Sequence, residues 1–572
     1  MYIESIPNRN SPPAILLRES YRKGKKVFKR TLSNLSHWPA VKIENLRRVL
    51  ANVSLAAPQD IFSVLCTVPF GHVESVLGCI HSLNLDSMLA SRRCKERDLI
   101  VALITERLLC PASKLATTRL WHSSTLAKDL SIEDADENDL YAALDWLMER
   151  KDSIEQKLAS KHLAPGALVL YDTSNSFYYG RTCTLAKYGN NKSKNGLPVI
   201  AYGVLTDDQG RPVAVDIYPG NMSDSKTVPD QVTKLQNKFN LERVVLAGDR
   251  GMLTQVQINA LKKTPNMGWI SALRSTSIRS LLEAGTLQRS LVDTRNMAEI
   301  SSPEFPGERL IACYNPMLAD DRCRTRSELL KATEVKLEKL SKEIKRRTKK
   351  PFAAGTIGLK AGKIINHYKM AKHFEITIKD AMFTFARKLE SIRNEEQLDG
   401  IYVIRTSEPA ERLTAEQTVR HYKSLAHVER AFRCMKGMDL MIRPIFLRTE
   451  VHVRAHILIC MLAYYVEWHM RQVLAPLLFA DEELNNERKT RDPVLTAQPS
   501  SSAKTKRATH TTPDGMAVHS FKTLLEEMAK RTRNTCTVKS MDAKSEKDPA
   551  TTFVQITPPT PFQARVLELL GL

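Results

Sequence analysis

Leu168-Val-Leu-Tyr-Asp172 and Val244-Val-Leu-Ala-Gly-Asp249 decide how this chain is read. Each is a short apolar run that stops on a carboxylate, and the second aspartate follows the first by 77 residues. Apolar runs of this length, bounded by turn-forming residues, read as short buried strands; Pro165-Gly166 marks the entry to the first. Between them Val199-Ile-Ala-Tyr-Gly-Val-Leu205 and Val213-Ala-Val-Asp-Ile-Tyr218, separated by Gln209-Gly210, predict an antiparallel meander, and Val228 to Phe239 predicts a helix. Trp269-Ile-Ser-Ala-Leu273 adds a further strand. The centre of the chain is therefore an α/β or α+β core with carboxylates at strand ends.

Toward the N-terminus the texture changes. Glu44 to about Leu158 has apolar residues at three and four spacing and predicts a helical region. Ahead of it, residues 14–35 predict a hairpin turning at Gly24, in which six of the nine residues from Arg22 to Arg30 are Lys or Arg. Toward the C-terminus, Arg322 to Lys350 carries twelve Lys/Arg against four Glu, with Leu330, Thr333, Leu337, Leu340 and Ile344 as an apolar stripe. That is a basic helix that packs on a partner helix or lies against a polyanion. His373–Ile378 and Met382–Phe385 alternate as strands, and Gly400–Arg405 returns to core strand, so 300–398 reads as an insertion in the sheet domain. The capping box Thr414-Ala-Glu-Gln417 opens a helix running through Lys436, and Ala455 to Met470 forms another. Beyond Asp481 the Ser, Thr, Pro and Lys content predicts a mobile linker and tail, with a short helix near Phe521 to Met528.

Composition bounds the function. A chain of 572 residues with 42% hydrophobic content holds several cores and is not a disordered segment. The longest apolar run, Ile457 to Val466, is ten residues, half of what a spanning helix needs. The N-terminus lacks the features of a secretory signal, so a cytoplasmic, nucleoid-associated location is expected. Ten cysteines without a Cys-x-x-Cys pair read as reduced thiols. A net charge of +22 points to a polyanionic partner, with nucleic acid first among the candidates.

Two strand-terminal aspartates joined by a helical glutamate suit a two-metal phosphoryl-transfer site, because hard Mg²⁺ prefers carboxylate oxygens. Tyr422, Glu429 and Lys436 recur at intervals of seven, nearly two helical turns, and would share one face of a single helix. A carboxylate between a phenol and an ammonium fits a metal ligand flanked by phosphate-gripping donors. The His452–His456 pair has zinc-helix spacing, but Val453 stands where a protease would carry its glutamate base, so both read as structural. Cys434 reads as a buried thiol, and there is no Gly-x-x-x-x-Gly-Lys-Ser/Thr run for ATP.

Three motifs, Pro219-Gly-Asn-Met-Ser-Asp224-Ser-Lys-Thr227, Asp249-Arg-Gly-Met252 and Tyr422-Lys-Ser-Leu-Ala-His-Val-Glu429-Arg-Ala-Phe-Arg-Cys-Met-Lys436, resemble those of DDE transposases of bacterial insertion sequences. Arg443-Pro444 and His452-Val-Arg-Ala-His-Ile457 complete the set. The branch resembled has a Tyr-Arg-Glu-Lys signature around the catalytic glutamate. The resemblance implies an RNase H-like catalytic domain interrupted by the basic insertion and preceded by a mainly helical region. Its expected parts are a basic hairpin and lead-in (1–50), a helical DNA-binding region (51–162), the catalytic core in two pieces (163–299 and 399–480), the insertion (300–398) and the tail (481–572). It implies Asp172, Asp249 and Glu429 as catalytic ligands of two Mg²⁺ ions, with Mn²⁺ as a substitute, cutting at terminal inverted repeats and joining to target DNA. DNA contacts are expected from Tyr422, Lys436, Arg430, Arg433 and Arg250, and from the hairpin's Lys25, Lys26 and Arg30. Leu425 stands in place of the signature's Arg, and Tyr179 where a glutamate is common. A homodimer pairing two element ends is implied, with no membrane partner. A catalytically inert DNA-binding relative, or a nuclease of similar fold without strand joining, are the alternatives.

Overall fold

The computed structural model describes residues 1–9, 11–52, 62–189, 196–288, 296–538 and 552–572. Its strands in chain order are β1 Tyr2–Ile6, β2 Ala14–Lys23, β3 Lys26–Asn34, β4 Phe62–Pro69, β5 Ala167–Phe177, β6 Val199–Thr206, β7 Pro212–Pro219 and β8 Val244–Ala247. They continue as β9 Met267–Ala272, β10 Met297–Ile300, β11 Arg309–Tyr314, β12 Phe374–Lys379, β13 Met382–Arg387, β14 Ile401–Thr406, β15 Thr532–Val538 and β16 Thr552–Ile556. Two compact units result: Met1–Gly71 with Ala529–Pro559, and His72–Met528 with Thr560–Leu572.

The larger unit is built on a mixed eight-stranded sheet of order β10-β11-β14-β9-β8-β5-β6-β7. β5, β6 and β7 form the antiparallel meander expected from their alternation. β8 lies on the other side of β5 and parallel to it, which requires a crossover; the helical segment after β7 supplies it. Helix Glu450–Val473 is buried on every side over most of its length and packs against helices Lys95–Leu109 and Glu137–His162. This explains the ten-residue apolar run: it is the centre of a core helix, where each buried Leu or Ile contributes about 1.5–3 kcal/mol. Among the described residues no helix is long and apolar enough to cross a membrane.

Between β11 and β14, neighbours in the sheet, the chain leaves for helix Pro316–Arg346, helix Ala354–His367 and the hairpin β12–β13. Leu330, Thr333, Leu337, Leu340 and Ile344 are all buried. The apolar stripe thus turns inward onto Ile357, Phe374 and Phe383, a core of this segment's own, and leaves the basic faces outside.

The smaller unit holds two three-stranded sheets, β1-β2-β3 and β16-β15-β4. In the β2–β3 hairpin a two-residue turn joins Lys23 to Lys26, and Gly24 takes φ +63°, a value that a two-residue hairpin turn favours and that side chains resist. Every residue of β3 is exposed, and Tyr21 and Phe28 stack with centroids 5.9 Å apart.

Three expectations are corrected. The helical reading of 51–162 is interrupted by β4, while residues 53–61 lie outside the described residues. Among the described residues from 481 onward, the expected mobile linker holds helix Ser501–Thr509, capped by Ser500, and β15, which pairs with β4, while the expected short helix is present as Phe521–Ala529, with Phe521, Leu524, Leu525 and Met528 buried. A polar surface disguised the few apolar residues that dock it. The helix opened by the Thr414 box, whose two reciprocal bonds are both present, ends at Lys423, and a second begins at Leu425. Ser424 Oγ donates to Arg420 O at 3.0 Å, and the Arg488 guanidinium donates to that carbonyl and to Ser424 Oγ, both competing with helix bonds.

Candidate functional site

The β5–β8 register positions the two aspartates. Ala167 pairs with Val244, Leu168 with Val245, Val169 with Leu246 and Leu170 with Ala247, a constant offset of 77. The same offset separates Asp172 from Asp249, but β5 continues through Phe177 and pairs Asp172 with Val204 of β6, so Asp172 is a mid-strand residue rather than the strand end expected from its apolar run, whereas Asp249 lies two residues beyond the end of β8; neighbouring strands are about 4.8 Å apart. Asp249 is exposed, and its carbonyl accepts from Met252 N and Leu253 N, which closes the turn after the strand. Along β5, Asp172, Ser174 and Ser176 point to one face by the period of two. Helix Leu425–Lys436 packs on this face, and Phe432 meets Tyr202 edge-on.

That packing brings Glu429 and Lys436 to Asp172. A cavity of about 410 Å³ is lined by Asp172, Ser174, Glu429, Arg433, Lys436 and Arg443, among others. A second, of about 420 Å³, is lined by Asp249, Arg250 and Arg274. Burial pushes the Asp172 carboxyl up to about 7; Asp249, Asp224 and Glu429 add to the rise, and the Thr173 N–H, donating at 2.8 Å, opposes it. Thr173 Oγ1 also donates to Asp224 at 2.6 Å, which ties this fourth carboxylate to the middle of β5. Lys436 donates to Ser174 Oγ, and burial, with Arg443 nearby, pushes its ammonium down to about 8. Tyr422 is pushed up to about 12 by burial, with Asp249 and Glu429 contributing, and so remains a hydrogen-bond donor.

Of the expected DNA-contacting residues, Arg433 and Lys436 line the Asp172 cavity and Arg250 lines the Asp249 cavity. Tyr422 sits on the preceding helix, so the interval of seven describes one helical face only for Glu429 and Lys436. Arg430 is exposed and lines neither cavity. Lys25, Lys26 and Arg30 belong to the hairpin of the smaller unit. Asp224 and Arg443 belong to the motifs quoted from the sequence but had no role assigned there, and Ser174 had none either. Ser174 was accessible from strand periodicity, two residues beyond Asp172, whereas the arrival of Arg443 depends on a loop.

Asp172, Asp249 and Glu429 do not form a trio with oxygens all within 4.8 Å; among the described residues only Cys434, Asp439 and Glu467 meet that spacing. There, however, Cys434 Sγ donates to Glu467 Oε2 at 2.9 Å and Arg471 Nε donates to Glu467 Oε1 at 2.6 Å. The arginine already supplies the positive charge. Asp172, Asp249 and Glu429 form no ion pair among the described residues, although Arg433, Lys436 and Arg443 line the Asp172 cavity and Arg250 and Arg274 the Asp249 cavity. The two histidines are held by protein groups: His452 lies 3.2 Å from Asp145 and stacks on Tyr141, and His456 Nε2 donates to Ile442 O at 2.9 Å. All ten cysteines are free thiols.

The family model described as the transposase DDE domain matches residues 173–466, just over half of the chain. The protein is a DDE transposase. The match begins immediately after Asp172 and includes Asp249 and Glu429. Residues 3–60 match the model described as the IS1634 family transposase N-terminal domain, which makes this DDE transposase one of an insertion sequence. No curated protein matches the transposase.

Proposed function

We propose that this transposase cuts DNA at the terminal inverted repeats of its insertion sequence and joins the freed 3′-hydroxyl to target DNA, with Asp172, Asp249 and Glu429 as ligands of two divalent ions. The observation that carries the reading is the β5–β8 register, whose constant offset of 77 also separates Asp172, within β5, from Asp249, just past β8, with the Glu429 helix packed on β5. The order β7-β6-β5-β8-β9, antiparallel and then parallel, supports an RNase H-like core, with an insertion that begins at 316 rather than at the expected 300, because β11 belongs to the main sheet, and runs to 398. Tyr422, Glu429 and Lys436 support the Tyr-Arg-Glu-Lys branch, from which Leu425 departs.

The donor set fits hard divalent cations. It consists of carboxylate oxygens, it includes a half-buried aspartate raised to about 7, and it faces a pocket with no acid-neutralising ion pair among the described residues. When bound, such ions activate the attacking hydroxyl and neutralise the leaving oxygen. The protein's own groups do the positioning. Lys436, held by Ser174, offers a charged donor to a phosphate oxygen, and Tyr422 offers a neutral one. The basic hairpin and the basic faces of the insertion contact the duplex backbone. Two element ends held together call for two copies of the chain.

The test is a labelled duplex carrying the inverted repeat that flanks the gene, incubated with wild type or Glu429→Gln in Mg²⁺ or in EDTA. Metal-dependent cutting at the repeat boundary that the variant lacks is the expected result. Binding without cutting would favour an inert relative, and cutting without any joined product a simple nuclease.

A further inference from the structure

We propose that Arg443 contacts the reacting DNA phosphate and that Arg107 and His456 are positioning residues, holding it in place through two main-chain carbonyls. The proposal rests on the DNA-cleavage reading above. Arg443 lines the same cavity as Asp172, Glu429 and Lys436, is exposed there, and makes no hydrogen bond or ion pair among the described residues. An unengaged guanidinium opening onto a carboxylate pocket suits a planar, bidentate anion such as phosphate.

The loop that carries it, between Lys436 and Glu450, is fastened by hydrogen bonds. Ile442 N donates to Met435 O at 2.8 Å and Tyr179 N to Ile445 O at 2.9 Å. From buried residues that do not line the cavity, Arg107 Nη1 donates to Met441 O at 3.4 Å and His456 Nε2 to Ile442 O at 2.9 Å. Arg107 is 7% exposed, has no ion pair among the described residues, and leaves Nε without a partner. Buried Glu106 interacts with it electrostatically but forms no ion pair with it among the described residues; a guanidinium so placed is costly, and stability alone would favour an apolar side chain there. What the arginine secures is the carbonyl two residues ahead of Arg443. His456 secures the next one. Lys114, 6% exposed, and Cys460, whose Sγ lies 4.0 Å from His456 Nε2, complete the surroundings.

The experiment measures cleavage rate and KM on the inverted-repeat duplex, together with thermal unfolding, for wild type, Asp172→Asn, Arg443→Gln, Arg443→Lys, Arg107→Met, Arg107→Lys and the double variant Arg107→Met/Arg443→Gln. Arg443→Gln should lower the rate about 100-fold with KM changed less than threefold, and Arg443→Lys should recover part of it. Arg107→Met should lower the rate about tenfold at unchanged KM, Arg107→Lys should restore most of it, and the double variant should be no slower than Arg443→Gln. Normal cutting by Arg443→Gln, or full additivity in the double variant, overturns the proposal while the cleavage reading stands. Absence of metal-dependent cutting by wild type, matching Asp172→Asn, overturns both.

Discussion

Two clusters of ionisable side chains meet the same loop of the larger unit, one in the cavity that Arg443 lines and the other at the carbonyls of Met441 and Ile442. In the open cluster Asp224, Asp249 and Glu429 act on Asp172, and Arg433, Lys436 and Arg443 line the same cavity. In the sealed cluster Arg107 and Lys114 are buried with no ion pair among the described residues, buried Glu106 interacts with Arg107, and burial holds His456 well below its ordinary value. Their exposure separates their uses. A cavity can admit a cation and a phosphate, so carboxylates beside cationic side chains there are a binding property. The sealed cations reach no ligand and can act only through the backbone they hold. A cluster of ionisable groups in a protein is thus interpreted by whether solvent can reach it.

The largest effect should come from the open cluster. Glu429→Gln or Asp249→Asn should reduce cleavage at least about 10³-fold in a single-turnover assay, the several kcal/mol that metal-held charge stabilisation provides. Added Mg²⁺ should raise the thermal midpoint of wild type and not of these variants. A variant that keeps both properties would remove its residue from the site. Next in size, Lys436→Ala should slow end cleavage about 10- to 100-fold, the loss of a charge-assisted hydrogen bond, while binding of unrelated duplex changes less than threefold. Equal losses would make Lys436 an ordinary backbone contact.

The sealed cluster should respond to pH rather than to metal. Burial, with Arg107 adjacent, pushes the Lys114 ammonium from its ordinary value down to about 7. Below that pH the charge is carried in both folded and unfolded chains, and its burial cost is fully felt. As pH rises from about 7 to about 10.5 the folded chain has shed the proton and the unfolded chain has not, so this residue's contribution to stability improves. Lys114→Met should therefore be more stable than wild type at pH 7, by about 1–2 kcal/mol in urea unfolding, with the gap closing by pH 10. A gap that is constant with pH, or that Mg²⁺ changes, would collapse the distinction between the two clusters. The smallest effect belongs to the hairpin: Lys25→Ala/Lys26→Ala/Arg30→Ala should reduce the slope of log K against log salt by about 2.7, with the rate of bound complexes unchanged.

Amino-acid order alone determined the strands that lead to the two aspartates, the helical glutamate and the meander, because each is written in local periodicity. The apolar run before Asp172 marks the start of β5 but not its end, since pairing with β6 carries the strand through polar residues to Phe177, while the stripe at Leu330 to Ile344 states its own inward face. What only three-dimensional packing decided is of longer range. Ser424 is an unremarkable helical residue until Arg488, 64 positions away, donates to it and to Arg420 O. The chain beyond 481 is polar enough to pass for a linker, yet Ser500 caps helix Ser501–Thr509, whose Ala503 and Lys506 are buried. Arg443 enters the cavity because its loop is fastened to elements far away in the chain, Arg107 lying 334 residues from Met441. Local pattern encodes which elements form and which face each one buries; which distant side chains meet depends on tertiary contacts that no window along the sequence contains.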